Sequence, residues 1–140
     1  DTADLDIHDC IACGHCREEG NDTCVFKDDM QAVYPYLIAA DLVVLATPLY
    51  YFGISAQLKA AIDRFYAHNL KIRDKRAVLL AACADLDDWA PEALQHHYLT
   101  ICRYCRWQDA GMVIAPGLQK AGELEGSEYP ARAEALGKSL

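Results

Sequence analysis

Residues 41–66, DLVVLATPLYYFGISAQLKAAIDRFY, decide the fold. They open on an apolar run, Leu42 to Ala46, with no polar alternation, the pattern of a strand buried on both faces of a parallel sheet. The run gives way to Thr47-Pro48-Leu49-Tyr50-Tyr51-Phe52-Gly53. Pro48 brings no amide to a ladder and Gly53 admits unusual dihedrals, so this stretch reads as a loop. Ser55 then caps a helix whose Leu58, Ala61, Ile62 and Phe65 form one apolar stripe, with Lys59 and Asp63 four apart on another face. Strand, aromatic loop and helix follow in order. Open α/β sheets bind ligands at the carboxyl ends of their strands, where this loop lies.

Two more apolar runs repeat the pattern: Ala77–Ala82 (AVLLAA) and Ala110–Ala115 (AGMVIA). Helical periodicity separates them. A helix over 28–40 takes Asp28 as N-cap and Gln31 as its capping-box partner, with Met30, Val33, Leu37 and Ile38 on the core stripe. Pro35 falls inside it, which predicts a kink or two short pieces. A second helix is capped by Asp87 or Asp88, carries Pro91 in its first turn, and buries Leu94, Tyr98 (or His97), Ile101 and Cys105. A last helix starts near Pro130 with Ala133, Leu136 and Leu140 as its stripe. Helix and strand alternate along the chain, which predicts a parallel α/β sheet with helices on its faces, one domain over residues 1–140.

Composition narrows the partners. The formal net charge of -8, from 21 acidic and 13 basic side chains, disfavours nucleic acid and anionic membranes. No apolar run approaches the roughly 20 residues of a membrane span. Seven cysteines in 140 residues, an odd number, fit a reducing cytoplasm better than an oxidised scaffold.

Four of those cysteines, Cys10, Cys13, Cys16 and Cys24, make a C-x2-C-x2-C-x7-C segment over 10–24. Thiolates so spaced can converge on one centre, and Gly14 and Gly20 allow the tight path. An iron–sulfur cluster, a structural zinc and a metal-free cysteine-rich loop all remain open. Cys102 and Cys105 also form a C-x-x-C pair, but near a helix C-terminus, where the dipole opposes a thiolate; they read as packing thiols.

The cysteine segment, Lys27-Asp28-Asp29-Met30, Asp41 through Ala46-Thr47-Pro48-Leu49-Tyr50, Ser55-Ala56-Gln57-Leu58-Lys59, Asp63-Arg64 and Ala135-Leu136-Gly137-Lys138 together resemble the NAD(P)H-dependent FMN reductases and iron–sulfur flavoproteins. The resemblance implies a flavodoxin-like fold. It implies FMN along Thr47, Pro48, Leu49, Tyr50, Tyr51, Phe52 and Gly53, approached from the other side by the loop from Cys83 to Asp85. It also implies NAD(P)H as co-substrate, a quinone, flavin or protein as electron acceptor, and a homo-oligomer. A four-iron four-sulfur cluster would sit on Cys10, Cys13, Cys16 and Cys24. No side chain is required as acid or base, because the flavin carries the chemistry. The family places a strand, a phosphate-binding turn and a helix before the cysteines. This chain begins at Asp1 without them, so the expectation is a partial domain lacking the first strand–helix–strand, with weakened FMN binding. An electron-transfer module without nicotinamide turnover and a non-catalytic interaction domain are the alternatives.

Overall fold

The computed structural model describes residues 1–140. Three parallel strands form one sheet in the order β1-β2-β3: β1 Leu42–Pro48, β2 Arg76–Ala82 and β3 Gln108–Ala115. Each apolar run is therefore a strand, parallel to the others. Before β1 come a short helix α1 (His15–Glu18) and α2 (Met30–Ala39). The connections carry α3 (Ala56–Arg64, continued by a 3-10 turn, Phe65–His68), α4 (Glu92–Cys105) and, after β3, α5 (Tyr129–Ser139).

The core lies on one face of the sheet. Leu45, Ala77, Leu79 and Ala81 pack there against Met30, Tyr34 and Leu37 of α2, Ala61 and Ile62 of α3, and Leu94, Tyr98 and Cys102 of α4. On the opposite face α5 packs along β3, where the hydrogen-for-side-chain of Gly111 makes room for Leu136: a Cβ there would stand 2.7 Å from its Cδ1. Toward β1 that face is open, a hollow of about 650 Å³ bounded by Ala46, Pro48, Leu80, Ala82, Val113 and Tyr129.

The sequence reading needs correction in several places. β2 is buried on both faces, but β1 is not: Val44 is 47% exposed and Ala46 and Pro48 are exposed, because β1 has a neighbour on one side only and its second face is uncovered. Pro48 ends the strand rather than opening the loop, paired in register with Ala82. α2 starts at Met30 after Asp29, and runs through Pro35 as one helix. Tyr34 sits deeper than Val33 or Ile38, its hydroxyl donating to the Arg64 carbonyl (3.1 Å). α4 starts after Pro91, with neither Asp87 nor Asp88 as cap, and buries Cys102 in preference to Ile101. The stripe of α5 is shallow, with no residue fully buried.

Asp28, expected to cap α2, is instead half of a buried ion pair. Arg64 Nη1 donates to its Oδ2 at 2.6 Å and Nη2 to its Oδ1 at 3.1 Å, with 1% and 3% of the two side chains exposed. Burial alone would raise the Asp28 pKa. The Arg64 guanidinium and the amides of His8 and Met30 outweigh it and hold the carboxyl below its usual value. A depressed folded pKa gives stability that is complete above the unfolded value of about 3.9 and is lost as pH falls through the folded value. Asp28→Asn, which leaves Arg64 buried without its counter-charge, should cost about 3–5 kcal/mol at neutral pH. Urea unfolding at pH 7, 5 and 3 checks this: the gap between wild type and variant should hold from 7 to 5 and shrink below about pH 4. A gap unchanged at pH 3 would show that the carboxylate charge is not what matters.

Candidate functional site

The loops after the three strands meet at the carboxyl edge of the sheet, tied by backbone bonds. Leu49 N donates to Ala82 O (2.8 Å), Cys83 N to Ala115 O (2.9 Å), and Leu118 N to Cys83 O (2.9 Å). Gly117 N donates to Asp85 O (3.3 Å) from a φ of 76°, with Leu86 lying so close that a Cβ on Gly117 would stand 2.8 Å from its Cδ2; only glycine satisfies both conditions.

The first of these loops is a hairpin of unusual composition. Tyr50 and Gly53 exchange both backbone bonds at 3.1 Å, which leaves Tyr51 and Phe52 as the two central residues, at φ 47° and 68°. Such turns favour Asn and Gly, since a side chain in this region costs about 1–2 kcal/mol. Of the two adjacent aromatics held there, Tyr51 projects into solvent, 98% exposed. Phe52 leans on Trp89, ring centroids 5.2 Å apart, and the Trp89 indole N–H donates to Asp87 (3.2 Å).

Leu49, Tyr51 and Phe52 share one hollow of about 650 Å³ with Cys83, Asp85 and Gln119, so the two loops expected to face each other do so. The amides of Tyr51, Phe52, Ala84, Asp85 and Leu86 make no hydrogen bond within the chain. Aromatic walls, an apolar floor and free amide donors suit a planar heteroaromatic ring with polar edges. The Cys83 thiol is pushed up by burial and further by Asp85, which keeps it neutral. The other expected residues lie apart. Pro48, Tyr50 and Thr47 border the hollow on the open face, and Gly53 closes the turn. The Thr47 hydroxyl is engaged inside the chain, donating to Pro48 O (2.8 Å) and accepting from Ser55 N (3.0 Å), which fixes the start of α3.

The second group gathers at the far end of α3. Cys10, Cys13, Cys16 and Cys24 line one cavity of about 480 Å³ with Asp63 and Tyr66, all as free thiols. No three His, Cys, Asp or Glu side chains stand at metal-ligating separation. The donor set suits a thiolate-bound centre, and the loop has to draw its thiols inward to make one. Burial raises the Cys16 pKa, and the neighbouring Arg17 opposes that rise. The sequence reading missed the two arginines here. Arg17 reaches Asp22 (3.0 Å), Asn69 (2.6 Å) and the Tyr66 carbonyl; Arg64 lies beneath the loop. Arg64 had a signal, a basic residue three after Ala61 on the edge of an apolar stripe.

Cys102 and Cys105 are buried at the C-terminal end of α4; desolvation raises both thiols, Cys105 to about 11, in keeping with packing roles.

A family model for NADPH-dependent FMN reductases matches residues 1–116. The chain belongs to that family. Among curated proteins, an iron–sulfur flavoprotein of Methanocaldococcus jannaschii is 40% identical over 62 residues, 44% of this chain and 31% of the relative. An iron–sulfur flavoprotein of Methanosarcina thermophila is 44% identical over 59 residues, 42% of this chain and 30% of the relative. The match thus spans under a third of the length of these relatives. Among solved structures, the Trp repressor binding protein of Bacillus subtilis superposes with a TM-score of 0.68 at 21% identity, covering 77% of this chain and 75% of that one. The flavodoxin, WrbA-like protein of Agrobacterium tumefaciens gives 0.56 at 21% identity, covering 77% and 73%. The fold of this FMN reductase family member is flavodoxin-like, with its two candidate sites at opposite ends of α3.

Thiol accessibility gives a direct check of this arrangement. In the reduced, metal-free protein, iodoacetamide should label Cys10 and Cys13 first, Cys16 and Cys24 more slowly, and Cys83, Cys102 and Cys105 only after unfolding. Peptide mass spectrometry of a labelling time course reads the order; early labelling of Cys102 or Cys105 would contradict the packing of α4.

Proposed function

We propose that this chain is the core of an FMN-dependent oxidoreductase that takes electrons from NAD(P)H and passes them to a quinone, a flavin or a protein acceptor. The observation that carries the reading is the hollow between the loops after β1 and β2, with Tyr51 and Phe52 held at positive φ on one side and unpaired amides on both. Family membership supports it. Bound flavin would supply hydride acceptance and single-electron transfer. The chain's own residues bind and orient: the Tyr51 and Phe52 rings wall the ring system, the amides of Ala84 and Asp85 offer donors to its polar edge, and neutral Cys83 adds no second charge beside Asp85.

A second reading is favoured by the cysteine cavity. There the chain is an electron-transfer module in which Cys10, Cys13, Cys16 and Cys24 hold a four-iron four-sulfur cluster, as the names of its iron–sulfur flavoprotein relatives suggest. The two readings share the flavin site and differ in where electrons leave. Seven free thiols support a reducing compartment, the cytoplasm, and no helix is long and apolar enough to cross a membrane. The unpaired edge of β1 and the open face beside it support association with a second copy.

Flavin fluorescence quenching tests the site. Saturable quenching of FMN is expected, and of riboflavin with similar affinity, because no lysine or arginine lines this hollow. Tyr51→Gly should weaken both by up to about tenfold, the worth of one aromatic contact. The same variant should be as stable as wild type or more so, since glycine relieves the strained φ at a fully exposed position. No saturable quenching by either flavin would end the flavoprotein reading. Unchanged affinity in Tyr51→Gly would move the ring away from this turn.

A further inference from the structure

The segment that carries Cys10 to Cys24 is closed at its neck by residues outside the cysteine motif. His8, two positions before Cys10, stacks on Phe26, two after Cys24, with ring centroids 4.9 Å apart and planes 21° apart. Arg64 sits under both. Its Nη1 donates to His8 O (2.8 Å), its guanidinium carbon lies 5.1 Å from the Phe26 ring centroid, and Asp28, its ion-pair partner, accepts from His8 N (3.1 Å). The distal part of the loop is fixed in the reverse sense. Arg17 reaches out of it to Asn69 and the Tyr66 carbonyl, its guanidinium over the Tyr66 ring at 4.9 Å. Tyr66 itself borders the cavity that the four cysteines share.

We propose that Arg64 is a positioning residue for the four-cysteine site: with Asp28 it closes the neck of the loop and gathers the four thiols around one cavity before any metal binds. This rests on reading Cys10, Cys13, Cys16 and Cys24 as thiolate ligands. Ordering a loop on binding reduces affinity by the entropy lost at that moment; a loop whose ends are already joined has less to lose. Arg64 does the joining through a planar fork that engages both carboxylate oxygens and a carbonyl at once. Lysine cannot reproduce this geometry although it keeps the charge. Arg64 touches no cysteine ligand through a hydrogen bond, so its effect passes through His8, Phe26 and Asp28.

The test uses cadmium(II) as probe, titrated into the reduced, metal-free chain and read by thiolate-to-cadmium charge-transfer absorbance, with thermal melts in parallel. Wild type should bind one cadmium per chain, and Cys13→Ser should bind it more weakly. The double variant Asp28→Leu/Arg64→Met removes both charges together, a replacement that buried ion pairs often tolerate. It should melt close to wild type yet bind cadmium about tenfold or more weaker, the range seen when residues behind metal ligands are lost. Arg64→Lys should fall between the two, and Arg132→Ala on exposed α5 should match wild type. A folded double variant with wild-type affinity overturns the proposal. Should the double variant not fold, Arg64→Lys decides: weaker binding at an unchanged melting temperature supports the positioning role, and unchanged binding overturns it. Absence of cadmium binding by wild type overturns the ligand reading and the proposal with it, an outcome distinguished by the wild-type titration alone.

Discussion

The ion pair between Arg64 and Asp28 is the constraint on which the cysteine half of the molecule depends. Residues 6–28 contribute no fully buried apolar side chain. Ile7, Cys16 and Cys24 pack on the core only in part, and Arg17 and Lys71 tie the distal loop to the residues after α3, so the ion pair is their one fully buried anchor. With it, one guanidinium on α3 fixes the carboxylate that precedes α2, the backbone of His8 and the ring of Phe26. A buried ion pair need not stabilise a fold relative to an apolar pair, because desolvation offsets the attraction. Its effect is specificity: a guanidinium at that depth demands one partner in one geometry, and the chain threads accordingly.

The same helix serves the other candidate site. α3 starts where Ser55 N is held by the Thr47 hydroxyl, directly after the aromatic turn, and Ser55 accepts from Leu58 N as its cap. It ends at Arg64. Nine residues at 1.5 Å each make a rigid spacer of about 14 Å between the proposed flavin hollow and the cysteine cavity. With both proposed centres filled, a short helix anchored by a hydrogen-bonded cap at one end and a buried salt bridge at the other would hold their separation fixed.

Much of this was legible in the sequence. The three strands announced themselves because a run such as AVLLAA has no polar face to offer water, and helical periodicity between them forced parallel connections. Ser55 as a cap and the four cysteines at close spacing were local patterns as well. What could not be read was non-local. Asp28 looks like an N-cap from its neighbours, and its true partner is 36 residues away. The open face of β1 depends on which strands flank it, which an apolar run does not encode. The split of the aromatic loop has two causes: strand-like alternation through Pro48, Leu49 and Tyr50 sends Leu49 to one hollow and its two neighbours to the other, and the turn that follows puts both Tyr51 and Phe52 on the side of Leu49. Positive φ at Tyr51 and Phe52 was hidden because aromatic residues rarely adopt it, which is also why it points to function.

Two cofactor sites joined by α3 are our central proposal, and one absorption spectrum tests it most directly. The chain is incubated without oxygen with FMN, iron and sulfide, then freed of unbound reagents and scanned. Structured flavin bands superimposed on a broad iron–thiolate absorption, the latter lost in Cys13→Ser while the flavin bands remain, is the predicted result. A colourless protein after reconstitution would contradict the proposed sites at both ends of the helix.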